Sequence, residues 1–124
     1  MGKKQPGITW LPVPEEHNYP AAGSYLSLIY PPVLVDKVVA ELRQAPISEF
    51  KAKDIFRASG LFLLGVSNGH VRGDQTKIEE GTALSPLLLL RDNQLGRVVI
   101  ADGYHRLCAV YSFDEDALIP CKIV

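Results

Sequence analysis

Five consecutive residues near the carboxyl end of the chain have the side chains and spacing of an anion-binding turn. They are Asp102-Gly103-Tyr104-His105-Arg106. A strand is predicted before them and a helix from Tyr104 onward, so the stretch forms a strand-to-helix turn. The first N–H groups of a helix lack partners inside it and lie at the positive end of its dipole. An anion placed there gains several hydrogen bonds, and Gly103 lets it approach the backbone because glycine has no Cβ.

The side chains of this turn extend the same chemistry. Arg106 offers a planar set of donors that matches phosphate, and His105 donates and titrates near neutral pH. Asp102 could cap the helix, orient His105, or hold a magnesium ion that accompanies phosphates. Asp-Gly is also a common turn, and Arg106 could form an ordinary surface ion pair. The residues alone leave the binding site and the ordinary turn both open.

The elements that position this turn are predicted from hydrophobic periodicity. They are a strand at 87–90, a turn at 92–96, a strand at 97–101, a helix at 104–113 and a strand at 118–124. Pro120 predicts that the last strand lies at an edge or starts irregularly. Cys108 and Cys121 are expected to be free, buried thiols, because two cysteines make neither a disulfide framework nor a structural zinc site.

Three helices are predicted upstream of these elements. They are a helix at 34–45 ended by Pro46, a helix at 48–59 with Ser48 as its N-cap and Gly60 after its end, and a short helix at 74–80 stopped by Gly81. The glycine-rich residues between the second and third helices, at 67–73, are predicted to be turns.

Residues 1–32 are expected to form a proline-rich arm that precedes the folded domain at 33–124. Proline breaks regular elements, so the arm is predicted to be irregular. Its aromatic residues, Trp10 among them, predict that it packs on the body, because aromatic side chains bury large areas. A dimer arm, which would make the protein a homodimer, is the alternative. The fold class is α/β (α+β), a single domain with a small mixed sheet and surrounding helices.

The bulk composition limits the partners. The chain has 124 residues, 47% hydrophobic and 22% charged, which is typical of one globular domain. Its formal net charge of -1 argues against nucleic acid as a partner, because such binders usually carry a basic excess. Apolar runs such as Leu87–Leu90 are too short to span a membrane, and the first residues do not resemble a signal peptide. We therefore expect a cytoplasmic protein without a membrane partner.

Charged residues and a histidine elsewhere in the chain are predicted to add positive charge around the phosphate site. Lys53 and Arg57 share a predicted helix and are expected at the rim of the phosphate site, with a surface ion pair as the alternative. His70, Arg72 and Lys77 could serve likewise from a mobile loop. The histidines have no second His or Cys at i+3 or i+4, so no metal site is expected from them.

The stretch from Pro86 to Val124 resembles the core of the ParB/sulfiredoxin superfamily. Sulfiredoxins carry Gly-Cys-His-Arg at the start of a helix and then an Ile-Pro strand, and ParB proteins carry Gly-Glu-Arg-Arg at the same place. The matching residues here are Gly103-Tyr104-His105-Arg106 and Ile119-Pro120-Cys121-Lys122-Ile123-Val124. Lys53–Ser59 together with Ala101–Arg106 is similar to small stand-alone bacterial members of this superfamily that have no assigned role.

The resemblance implies that the helix start binds the phosphates of a nucleotide through Gly103, Tyr104, His105 and Arg106. It further implies a small phosphate-containing ligand, a nucleoside triphosphate with Mg2+, and phosphotransfer or nucleotide hydrolysis as the reaction. Because Tyr104 stands where sulfiredoxins have their nucleophilic cysteine, sulfinic acid reduction is not expected. Two alternatives stay open, a protein-interaction module with a vestigial site and a ParB-like nuclease. The net charge argues against the second.

Overall fold

The computed structural model describes residues 7–65 and 67–124, which form five helices and four strands. The helices are α1 (Asn18–Leu26), α2 (Pro32–Gln44), α3 (Ala52–Ser59), α4 (Gly69–Glu80) and α5 (Tyr104–Phe113). The strands are β1 (Ser48–Lys51), β2 (Leu87–Asp92), β3 (Arg97–Asp102) and β4 (Leu118–Ile123). The predicted fold class, a single α+β domain with a small mixed sheet and surrounding helices, is confirmed.

The strands form one mixed sheet in the order β1-β4-β2-β3. The central pair β4 and β2 is parallel, and the outer pairings are antiparallel. Leu87–Leu90 of β2 are buried throughout, because this strand is covered by helices on both faces. A continuous apolar run is typical of such a strand, whereas a half-exposed strand would alternate with polar residues.

The two faces of the sheet carry separate cores. Leu87 and Leu89 pack with α3, α4 and α5, whereas Leu88 and Leu90 pack with α1 and α2. This division follows from the period of two in a strand, which sends successive side chains to opposite faces. β2 and β3, which lead to the predicted anion-binding turn, are therefore held between two helical layers.

The helix predicted at 48–59 begins only at Ala52. Ser48 is not an N-cap; it pairs with Cys121 in the antiparallel ladder between β1 and β4. Pairing with β4 satisfies backbone groups of residues 48–51 and overrides their helical pattern, which a local reading of the sequence does not detect. Gly60 ends α3 as predicted, with a φ of 69° that glycine adopts without strain.

Pro120 does not lie on an edge strand, contrary to one of the two expectations from the sequence. β4 is an inner strand between β1 and β2. Its pairing with β2 begins one residue after the proline, where Cys121 lies opposite Leu87. Proline has no N–H to donate, but this inner strand tolerates it because Pro120 precedes the first residue of β4 that pairs with β2.

The proline-rich arm is more regular than predicted. Residues 18–26 form α1, with Pro20 in the first turn, where a missing N–H costs nothing. The helix buries Tyr19 and Leu26 against the sheet, and Trp10 forms a bridge with Leu84. Residues 1–6 of the predicted arm lie outside the described residues. In the part of the chain that is described, no helix is long and apolar enough to cross a membrane.

The third predicted helix is longer than expected. α4 begins at Gly69, five residues before the predicted start at 74, and ends before Gly81 as predicted. Asn68 caps it by accepting hydrogen bonds from the N–H groups of His70 and Val71 at 2.9 and 3.3 Å. The mobile loop expected to carry His70 is therefore a capped helix.

Candidate functional site

The turn between β3 and α5 depends on glycine at position 103. Gly103 has a φ of 113°, and a Cβ built on it would lie 2.7 Å from Cγ of Leu87 and 2.9 Å from Nη2 of Arg106. Just before it the ladder with β2 slips, so that Ala101 has no residue opposite and forms a bulge. Leu87 and Arg106 therefore lie too close to this turn to leave room for a side chain at position 103.

The first turn of α5 leaves its backbone donors open. No side chain among residues 7–65 and 67–124 caps the helix, and its first internal bond runs from the N–H of Leu107 to the carbonyl of Gly103 at 2.9 Å. The N–H groups of Tyr104, His105 and Arg106 have no acceptor among the described residues. Three adjacent donors thus remain at the positive end of the helix dipole, which is the backbone arrangement that binds anions.

Asp102 and Arg106 form an ion pair beside these donors. Nη2 of Arg106 donates to Oδ2 of Asp102 at 3.0 Å and approaches Oδ1 of Asn18 and the carbonyl of Pro86 at 3.4 Å. The two side chains are 17% and 20% exposed. The carboxylate therefore does not plug the open helix start. The guanidinium is anchored to the body of the protein, and the carboxylate of Asp102 balances its charge.

A second helix completes the site from the opposite side. His70 and Asp74 are four residues apart on α4 and lie on one face of it. The imidazole rings of His70 and His105 face each other, with centroids 4.8 Å apart and planes tilted by 35°. The resulting cleft of about 220 Å³ is lined by His70, Asp74, Asp102, Gly103, Tyr104, His105 and Arg106.

Burial shifts the pKa values of two titratable groups in this cleft, His105 and Asp74. It lowers the pKa of His105 below the ordinary 6.5, and the neighbouring His70 lowers it further, whereas Asp74 opposes the shift. Burial also raises the pKa of Asp74 above the ordinary 3.8, although Lys77 lies 4.0 Å from its carboxylate. The lowered pKa favours the uncharged form of His105 in the free protein.

Tyr104 contributes its backbone N–H to the cleft, whereas its hydroxyl forms a hydrogen bond with another segment of the chain. Its hydroxyl donates to the carbonyl of Phe62, in the extended segment that follows α3. Neither cysteine provides a substitute nucleophile. Burial raises the pKa of Cys108 and raises that of Cys121 to about 11, and both are free thiols in the core, as expected.

The predicted supporting residues on α3 are not brought to this cleft. Lys53 forms a 2.6 Å ion pair with Asp116, and Arg57 lies 3.9 Å from Asp54. Both line a separate cleft with Tyr111, on the carboxyl half of α5. Both cations thus form surface ion pairs, Lys53 with Asp116 and Arg57 with Asp54, which is the alternative considered for them.

Asp74 is the residue that sequence reasoning missed. Its signal is the i, i+4 spacing from His70, which has meaning only if both residues lie on one helix. Gly69 and Gly73 disfavour a helix there, and the cap by Asn68 outweighs them.

A magnesium role for Asp102, which stays a prediction, would compete with the contacts of its carboxylate. Its carboxylate is engaged by Arg106, and the other carboxylate of the cleft, that of Asp74, lies near Lys77. Within residues 7–65 and 67–124, no group of three His, Cys, Asp or Glu side chains is arranged to hold a metal ion. Asp102 was expected to orient His105 or to cap the helix, but the contact that its carboxylate makes is with Arg106.

Comparison of the chain with protein-family models, with curated proteins and with solved structures gives no match. The resemblance of residues 86–124 to the ParB/sulfiredoxin superfamily therefore stays a prediction.

Proposed function

We propose that the protein binds the phosphate group of a small ligand, such as a nucleotide, in the cleft between α4 and α5. The observation that carries the proposal is the set of three open N–H groups at Tyr104, His105 and Arg106. A helix start that offers several N–H donors to one point favours an oxyanion over any neutral ligand.

The side chains around the open donors support this choice. The ion pair with Asp102 holds the guanidinium of Arg106 beside the helix start, and the imidazoles of His70 and His105 line the same cleft and can donate to an anion. The resemblance to families in which the same helix start holds nucleotide phosphates points to the same class of ligand. The buried carboxylate of Asp74 is held 4.0 Å from Lys77, which limits its repulsion of an anion.

The size of the cleft limits which part of the ligand it holds. Its volume of about 220 Å³ accommodates one phosphate or a diphosphate, whereas sites that enclose drug-sized ligands measure roughly 300–1,000 Å³. A sugar or a base would extend outside it. We therefore expect affinity to follow the phosphate part of the ligand more than the base.

Thermal unfolding with a panel of ligands tests the proposal. The panel is inorganic phosphate, pyrophosphate, nucleoside mono- and triphosphates and the corresponding nucleosides, each with and without Mg2+. A phosphate ligand at about 100 times its dissociation constant should add about 2.7 kcal/mol to the free energy of unfolding. Nucleosides without phosphate should add nothing. The absence of stabilisation by every phosphate compound would contradict the proposal.

A charge-reversal variant separates loss of binding from loss of folding. In His105→Glu, a carboxylate in the first turn of α5 should stabilise the helix by about 0.3–1 kcal/mol and repel an anion. Because the carboxylate of Asp74 faces position 105 and opposes part of this gain, we expect stability within about 1 kcal/mol of the wild type and no ligand response. Gln94→Glu, in the exposed turn between β2 and β3, makes a similar acidic substitution far from the cleft and should respond like the wild type.

A second candidate function is a protein-interaction module that joins two copies of the chain. It is favoured by an exposed apolar patch where α1 turns into α2, in which Leu28 and Val33 are 84% and 83% exposed. Sedimentation velocity at increasing concentration tests it with wild type and Leu28→Ser. Association that the substitution removes supports this candidate, and a monomer at all concentrations contradicts it.

A further inference from the structure

We propose that His105 takes up a proton when a dianion enters the cleft, so that the site selects terminal phosphate groups over phosphodiesters and binds them more tightly at lower pH. This inference rests on the proposed function and adds a specificity residue to it. It concerns the class of ligand, since a phosphate monoester carries two negative charges near neutral pH and a diester carries one.

The arrangement of charges around the cleft motivates the proposal. Arg106 is paired with Asp102, and Lys77 lies beside Asp74, so these four groups carry no net charge. A dianion that binds the open N–H groups of α5 adds two negative charges to this neutral set. A group in the cleft that gains a proton near neutral pH would supply a compensating positive charge.

The imidazole of His105 is the group placed to gain that proton. It belongs to the first turn of α5, which also carries the open N–H groups, and it is partly buried. The centroid of its ring lies 4.8 Å from that of the His70 ring. The phenol of Tyr104 is directed away, to the carbonyl of Phe62, and already carries its proton at neutral pH. The other groups facing His105 are those already named, Asp74, His70 and Arg106.

The direction of the pH dependence follows from the state of the free protein. Burial and His70 hold the pKa of His105 below 6.5, so the ring is neutral at pH 7 before the ligand arrives. A neighbouring dianion raises this pKa, because opposite charge favours the protonated form. Affinity then rises as the pH falls through the pKa of the complex, and it levels off below the pKa of the free protein. Each unit of difference between the two values corresponds to about a tenfold change in affinity.

Isothermal titration calorimetry with sulfate tests this coupling. Sulfate stays a dianion from pH 5.5 to 8.5, so its own titration cannot produce a pH dependence. We expect its affinity to rise about tenfold from about pH 8 to about pH 6, with proton uptake measured as a dependence of the binding heat on the ionisation enthalpy of the buffer. Methyl phosphate should bind like sulfate at pH 7.5, and dimethyl phosphate at least about tenfold more weakly.

Two substitutions at position 105 make the assignment specific, since both keep the backbone donor. His105→Gln should bind sulfate without pH dependence and without proton uptake. His105→Lys carries a permanent charge, so it should bind at pH 8 about as tightly as the wild type at pH 6, again without proton uptake. His17→Ala removes an exposed histidine that does not line the cleft and should behave like the wild type.

The outcomes separate this inference from the proposed function. Sulfate binding without proton uptake in the wild type, or pH dependence that survives in His105→Gln, overturns the role of His105 while the phosphate site stands. Failure of sulfate and methyl phosphate to bind at any pH overturns the site itself.

Discussion

At the scale of single residues, Gly103 decides whether the site can exist. A side chain there would overlap Leu87 below and Arg106 above, and the φ of 113° disfavours any other residue. The glycine was recognised in the sequence as the residue that opens the helix start. Its steric conflict with Leu87 could not be predicted, because it depends on how β2 pairs with β3.

Gly103→Ala should therefore lower the free energy of unfolding by at least about 2 kcal/mol, since it adds both backbone strain and overpacking. Gly73→Ala is the matched control. Gly73 lies inside α4 with open space around its Cβ position, so the substitution should raise stability by about 0.5–1 kcal/mol. Urea unfolding of the two variants measures both effects. Equal effects of the two substitutions would contradict the steric account.

Asp74 is a residue whose burial reduces stability. Its side chain is 14% exposed, and burial raises its pKa above 3.8, so the folded protein holds this proton more tightly than the unfolded chain does. Folding stability is therefore lost as the pH rises from 3.8 through the raised pKa. Such a residue is more often retained for function than for folding.

We accordingly expect Asp74→Asn to stabilise the protein at pH 7 and to have no effect below about pH 3, where the carboxyl is protonated in both states. Urea unfolding at both pH values measures the difference. Asp36→Asn, which changes an exposed carboxylate on α2, should stay within about 0.5 kcal/mol of the wild type. Destabilisation by Asp74→Asn at pH 7 would show that the carboxylate serves packing or pairing instead.

At the scale of elements, the sequence predicted helices and turns best where a periodic apolar pattern ended at residues that interrupt helices and strands. The helix at 104–113 and the turn at 92–96 agree with the structure because Asp102-Gly103 and Gly96 interrupt clear apolar patterns. The start of α4 was missed because two glycines lie in its first five residues. The strand β1 was missed because its pairing with β4 joins residues about 70 apart.

The N-cap of α4 is correspondingly important for holding His70 in the cleft. Asn68→Ala should lower the free energy of unfolding by about 1 kcal/mol, because it removes the acceptor for two N–H groups. Ser67→Ala, one residue earlier and exposed, should change it by less than about 0.5 kcal/mol. Chemical denaturation compares the two. A cap substitution without effect would mean that packing against α5 alone determines where α4 begins.

At the scale of the whole molecule, the sheet with two helical layers holds one wall of the cleft in place. β2 is buried on both faces, and the turn after β3 is fixed to it by the close contact of Gly103 with Leu87. The sequence predicted the mixed sheet, the surrounding helices and one wall of the cleft. The opposite wall could not be predicted, because the approach of α4 to α5 is set by packing of residues such as Val71 and Leu107 in a shared core.

The central claim is that the open N–H groups of α5 bind a phosphate oxyanion. The most direct measurement is a titration of 15N-labelled protein with inorganic phosphate, followed through backbone amide resonances. The account predicts that the amides of Tyr104, His105 and Arg106 shift most and saturate along one binding curve. Shifts scattered over exposed lysines and arginines, with those three amides unmoved at saturating phosphate, would contradict it.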